Sequence, residues 1–273
     1  MKITTLVENT TNHPDLGTQH GLSFYIEANG RKILFDMGED GLFLQNAEKL
    51  GIAIADVDLA IVSHGHGDHG GGLGVFLEHN EKAPVYLNRR AFGHYYTKRM
   101  KMPVYIGLSQ ELERSRRMIF VDEFTALGDG LTLFSGVTGR EYASPANTRL
   151  FMRRGQKMEN DDFLHEQNLL IEEDGKAALI GGCAHCGIVN ILERSKEILG
   201  RTPDVVVSGF HLNNAGLSMK EEAKFAGSMA KRLRQEPTHY YTCHCTGQRP
   251  FEVMKEDLGQ QLQYIATGET VEL

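Results

Sequence analysis

The chain has 273 residues, 41% of them hydrophobic and 24% charged, enough to bury a core without disulfides or obligatory oligomerisation. Its net charge of −7 and pI near 5.9 give a surface that repels nucleic acid, and no apolar run approaches the ~20 residues that span a membrane. The four cysteines fall in two close pairs, Cys183/Cys186 and Cys243/Cys245, which excludes a secreted disulfide framework and points to a reduced, cytoplasmic protein.

Residues 1–7 read as a first strand and lack the long apolar core of a signal peptide. Runs 22–27 and 32–36 flank Asn29-Gly30, a strong hairpin signal. Residues 42–50 carry Leu42, Phe43, Ala47 and Leu50 at helical spacing, with Gly51 as the stop. The apolar run 58–62 predicts a buried strand, and 74–79 a short helix. Runs 131–134, 168–173 and 176–180 predict strands of a second sheet, and 188–199 a helix closed by Gly200. Residues 204–207 predict a further buried strand. Ser218-Met219-Lys220-Glu221 is a capping box opening a helix to about Arg234. A strand at 240–242, a helix start at Pro250 and a last strand at 263–266 end the fold. No linker or low-complexity tract divides the chain, so the pattern predicts one unit over 1–273, with two sheets face to face and helices outside.

The chemistry concentrates in His64-Gly65-His66-Gly67-Asp68-His69, directly after the strand at 58–62. On a loop leaving a strand, His64 and His66 can grip one ion from one side, while Asp68 and His69 continue round the turn towards a second. Imidazole and carboxylate together suit zinc, iron(II) or manganese. Further ligands are expected at other strand ends, where His185, His211 and His244 each lie close to a glycine.

The His-x-His-x-Asp-His run, with Asp36 in Leu34-Phe35-Asp36-Met37-Gly38 upstream and single histidines downstream, resembles the metallo-β-lactamase superfamily over essentially the whole chain. His20-Gly21-Leu22-Ser23-Phe24, Gly182-Cys183-Ala184-His185-Cys186-Gly187, Gly209-Phe210-His211-Leu212 and His244-Cys245-Thr246-Gly247 resemble its dihydropteroate-synthase-like branch. That branch includes metal-dependent hydrolases and an enzyme joining a dihydropterin to ribofuranosylaminobenzene phosphate. The resemblance implies an α+β, four-layer αβ/βα sandwich with two divalent metal ions, zinc first and manganese or iron as alternatives. It implies that His64, His66 and His185 hold one ion and Asp68, His69 and His244 the other, with Asp36 orienting the loop from behind. Where hydrolases of the superfamily commonly carry a bridging aspartate, this chain reads Ser208-Gly209-Phe210-His211. His211 then serves as a terminal ligand or as an acid/base group.

Cys183/Cys186 and Cys243/Cys245 flank histidines that already have a role, and they read as small buried residues rather than ligands. Segment 88–117 is basic and aromatic within an acidic chain, and it reads as a lid or substrate insert, or equally as a solvated helix face or dimer contact. His20, Arg89, Arg90, His94 and Tyr95 are the candidate substrate contacts. The expected activity is a metal-dependent hydrolase, acting through a metal-bound hydroxide on a small anionic molecule, phosphate-bearing or pterin-like. Asp68 or His211 would pass a proton to the leaving group. The alternatives are a transferase joining a dihydropterin diphosphate to a ribofuranosylaminobenzene phosphate or aminobenzoate, and a di-iron redox protein. The expected partner is a small molecule, with neither nucleic acid nor membrane; a homodimer stays open.

Overall fold

The computed structural model describes residues 1–100, 102–213 and 216–273. Its first sheet runs edge to edge through β18 (Thr270–Glu272), β1 (Lys2–Val7), β2 (Ser23–Ala28), β3 (Arg31–Phe35), β4 (Leu59–Ile61), β5 (Val85–Asn88) and β8 (Met118–Val121). The second runs through β17 (Leu262–Tyr264), β16 (His239–Thr242), β15 (Val205–Ser208), β14 (Lys176–Ile180), β13 (Gln167–Glu173), β10 (Leu131–Ser135) and β9 (Phe124–Gly128). A smaller sheet joins β12 (Lys157–Asn160), β11 (Leu150–Arg154), β6 (His94–Arg99) and β7 (Met102–Tyr105). Each large sheet has three antiparallel pairings followed by three parallel ones, β3-β4-β5-β8 in the first and β14-β15-β16-β17 in the second.

Side-chain alternation sets the layers. Ile33 and Phe35 of β3 share an inner core with Leu169, Ile171, Ala178 and Ile180 of the opposite sheet. Leu34, between them in sequence, points the other way and packs with Phe43 of α1 (Leu42–Lys49) and Phe76 of α3 (Leu73–His79). Val205 and Val207 likewise face the inner core. Val206 packs with Leu192 of α4 (Ile188–Leu199), Met229 of α5 (Met219–Leu233) and Met254 of α6 (Gln248–Leu258). The product is the four-layer αβ/βα sandwich. The one-turn helix α2 (Gly67–Gly70) lies within the histidine-rich loop.

Local signals placed the long helices well. Ser218 and Glu221 form the capping box of α5, and Gly200 closes α4 in the left-handed conformation at φ 69°. Two expectations are corrected. Segment 263–266 does not end the fold: the chain returns as β18, pairs with β1 and buries Val271 in the inner core. A three-residue strand is too short to show alternation. Segment 88–117 is not a long helix face either, since between short 3-10 turns at Arg89–Phe92 and Gln110–Arg114 it forms the β6–β7 hairpin. Its aromatic and β-branched residues favour strand; Lys101 lies outside the described residues. Among the described residues, no helix is long and apolar enough to cross a membrane.

Candidate metal centre

The polar cluster sits where the parallel strands of both sheets end. Asp36 follows β3, the 64–69 run follows β4, Cys183 and His185 follow β14, His211 follows β15 and His244 follows β16. Four of these turns use a non-glycine residue in the left-handed region: Asp36 (φ 59°), Ala184 (φ 53°), His211 (φ 49°) and His244 (φ 49°). Such conformations cost about 1–3 kcal/mol each and gather at functional sites. Gly182 lies flush against the first sheet, and a Cβ there would collide with the Ser63 hydroxyl.

Hydrogen bonds fix how each imidazole is presented. The Asp36 carboxylate accepts from the Ser63 amide (2.7 Å), the Ser63 hydroxyl (2.7 Å) and His69 Nδ1 (2.6 Å). Because the Ser63 hydroxyl donates to Asp36, its oxygen accepts from His64 Nδ1 at 2.8 Å. Asn147 Oδ1 accepts from His185 Nδ1 at 3.0 Å, its amide donating to the His185 carbonyl, and Asn9 Oδ1 accepts from His244 Nδ1 at 2.8 Å. His64, His185 and His244 therefore carry the proton on Nδ1 and turn an Nε2 lone pair inward, while His69, also protonated at Nδ1, turns inward an Nε2 whose proton an ion would displace. The Nε2 atoms of His64 and His185 face one another at 3.3 Å, and among the described residues the buried His244 Nε2 makes no well-aligned hydrogen bond. Facing lone pairs repel unless a cation lies between them, so this donor set fits a divalent metal. His66 differs: its Nε2 donates to Asp161 Oδ2 at 3.3 Å, which leaves Nδ1 as its free donor atom.

Asp68 gathers the second group, its Oδ2 lying 3.3 Å from His20 Nε2, 3.4 Å from His244 Nε2 and 3.9 Å from His69 Nε2. Burial opposes ionisation of Asp68, but His69, His20 and His244 outweigh it and hold the carboxyl well below its usual range. Burial likewise disfavours the cationic form of His69, yet Asp36 and Asp68 raise it to about 9. Burial and the neighbouring imidazoles keep His64 and His185 well below the ordinary histidine value, in the neutral form that binds metal. The side chain of His20 is 65% exposed and that of Asp68 22%, so the mouth of the site lies on their side. His211 packs on His185 with ring centroids 4.2 Å apart, and among the described residues neither ring nitrogen of His211 has a hydrogen-bond partner.

All six proposed ligands, with Asp36, His20 and His211, thus converge. Tyr95 reaches the cluster by packing, its ring 4.1 Å from His165 and 5.7 Å from His66. Arg89 and Arg90 are not brought to the histidines. They line a cavity of about 540 Å³ with Phe120, Asp122 and Glu123, the Arg89 guanidinium lying 4.1 Å over the Phe120 ring. His94 faces Tyr105 on the small sheet.

Several site residues escaped the sequence reading. Asp161 holds both His66 and His165, and His165 in turn accepts from the Gly65 amide at 2.9 Å. Burial opposes the Asp161 charge, but His165 and His66 draw its carboxyl far below the usual range. Glu166 accepts from the amides of His185 (2.6 Å) and Cys186 (2.9 Å), fixing the loop after β14. The available signal was an acidic, His-containing run, Asp161-Asp162-Phe163-Leu164-His165-Glu166, at the start of a strand. Cys183, read from the sequence as a small buried residue, is buried, and its Sγ lies 3.1 Å from His69 Nε2.

A four-layer sandwich with this donor set at its paired strand ends defines the metallo-β-lactamase superfamily, and the chain belongs to it, residues 16–193 matching the family model. Over 99% of its length the chain is 25% identical to 96% of the 7,8-dihydropterin-6-methyl-4-(beta-D-ribofuranosyl)-aminobenzene-5'-phosphate synthase of Methanocaldococcus jannaschii. It is 24% identical, over 92% of its length and 96% of the relative, to a UPF0173 metal-dependent hydrolase of Staphylococcus carnosus. The crystal structure of Tm1679, a metal-dependent hydrolase of the same superfamily, matches with a TM-score of 0.83 at 28% identity, covering 100% of this chain and 99% of that one.

Proposed function

We propose that the protein is a hydrolase with two divalent ions, zinc first, acting on a small anionic substrate that is phosphate-bearing or pterin-like. The observation that carries this is the inward set of Nε2 atoms of His64, His69, His185 and His244, with His66 and Asp68 beside them. Ions bound there supply Lewis acidity and a water-derived nucleophile near neutral pH. The chain's own residues do the rest. Asp36, Asn147, Asn9 and Asp161 keep the imidazoles in register, and Phe163, stacked on His185 at 4.5 Å, helps exclude water. Asp68, ionised at the mouth with His20, can take up the proton released by the attacking nucleophile and pass it to a leaving group. The small sheet packs on the metal loop through the Gly67 amide on the Ile106 carbonyl (2.7 Å). It brings Lys98 over Phe151 and Arg153 over Tyr96, cations and rings suited to an anionic heterocycle.

The test is turnover of phosphodiester, lactone and pterin substrates by the metal-loaded protein. Hydrolysis of an anionic member, abolished by chelation and by His64→Ala, is expected; a fully loaded protein inert towards all three classes contradicts the proposal. The synthase relative, matched along nearly the whole chain, favours a second reading as a transferase joining a dihydropterin diphosphate to an aminobenzene partner. Formation of the joined product from those two substrates, rather than hydrolysis alone, selects it.

A further inference from the structure

We propose that Cys183 is a metal ligand common to both donor sets, its thiolate tuning the centre towards zinc, iron(II) or cobalt(II) and away from manganese and magnesium. This rests on the metal centre proposed above, though not on the reaction assigned to it. The ligand atoms of His64, Cys183 and His185 all lie within 4.8 Å of one another, and so do those of His69, Cys183 and His244. One sulfur therefore belongs to a cluster from each half of the site. Zinc–sulfur and zinc–nitrogen bonds of about 2.3 and 2.0 Å put neighbouring ligand atoms roughly 3.5 Å apart. The 3.1 Å from Cys183 Sγ to His69 Nε2 and the 3.3 Å between His64 and His185 Nε2 are close to that spacing.

A second observation is the buried His244 Nε2, which makes no well-aligned hydrogen bond among the described residues, although Asp68 Oδ2 lies 3.4 Å away, and which shares the His69–Cys183–His244 cluster. Cys183 is also firmly placed. It is 2% exposed, Gly182 before it abuts Ser63, and Glu166 holds the amides of His185 and Cys186 after it. Cys245 Sγ also lies within 4.8 Å of Cys183 Sγ and a His211 ring nitrogen, but its thiol is directed at the Cys183 carbonyl (3.7 Å) and its sulfur accepts from the His211 amide (3.3 Å). On ligation the Cys183 S–H bond breaks, the electron pair on sulfur passes to the ion, and the proton leaves to solvent. No oxidant or reductant is required. A soft, polarisable sulfur beside imidazoles favours zinc and its neighbours over the harder ions.

The experiment is cobalt(II) substitution of the full-length protein, with near-ultraviolet and visible spectra of wild type, Cys183→Ser and Cys245→Ser, and metal content by elemental analysis. The wild type should show sulfur-to-cobalt charge-transfer absorption, kept in Cys245→Ser and lost in Cys183→Ser. Zinc affinity by chelator competition should fall at least about tenfold in Cys183→Ser, with manganese less affected. Loaded wild type without the band, or a band that survives Cys183→Ser, overturns the assignment. The wild-type spectrum needs no variant, so misfolding of one cannot mask the outcome. A protein that takes up no ion overturns the metal centre as well as the thiolate, whereas a loaded but bandless one overturns the thiolate alone.

Discussion

Asp36 binds three donors with two oxygens, and through them it sets the angle of two imidazoles on the metal loop. Replacing it with asparagine keeps the size and tolerates the left-handed backbone, but places an amide donor against donors that need an acceptor. We expect Asp36→Asn to weaken zinc binding about 10–100-fold while the circular dichroism spectrum stays native. Chelator competition measures it, and unchanged affinity would show that His64 and His69 need no such anchor. The convergence of the proposed ligands was legible because four of the six lie within one six-residue run and the other two repeat a strand–His–Gly layout. Asp161 and His165 were not. They approach the loop from about a hundred positions away, and only the folded chain brings them there. The closeness of Cys183 to His69 was not legible either, since a sequence does not show which way a strand-end side chain points.

At the scale of elements, the ends of β4 and β14 must approach closely for His64 to meet His185, and Gly182 permits that approach. Gly182→Ala should push Ser63 off Asp36 and lower metal content below that of the wild type, with the secondary structure retained. Elemental analysis after loading checks this, and full occupancy would mean that the strand ends have slack. Helices α4 and α5 are tied by Glu236, which accepts from Lys196 (3.1 Å) and Arg232 (3.1 Å). Burial alone would raise its carboxyl, but the two cations outweigh burial and hold it below its ordinary 4.5. A depressed folded-state value gives stability that is present above about 4.5 and lost as pH falls through the lower value. Glu236→Gln should thus cost about 0.5–1 kcal/mol at pH 7 and little at pH 3, by urea denaturation. An equal cost at both pH values would place the effect in packing instead. Helices were readable because caps and periodicity are local, as Ser218, Glu221 and Gly200 show. The short strands β18, β6 and β7 were not, because each is defined by its partner strand.

For the whole molecule, two sheets with the same sequence of pairings stand face to face, and the centre lies between them. His64, His66, Asp68 and His69 come from the first sheet, while His185 and His244 come from the second. Neither half alone holds the full donor set, so metal occupancy reports the correct packing of both. The sandwich itself was legible from the order of strands and helices, and the matching direction of the pairings emerged only with the sheets assembled. The most direct test of the account is elemental analysis of the purified wild type beside His64→Ala and His185→Ala, one variant in each half. The account predicts about two divalent ions per chain in the wild type and a loss of bound metal in both variants. A wild type that holds no ion, or variants that keep the full complement, would contradict it.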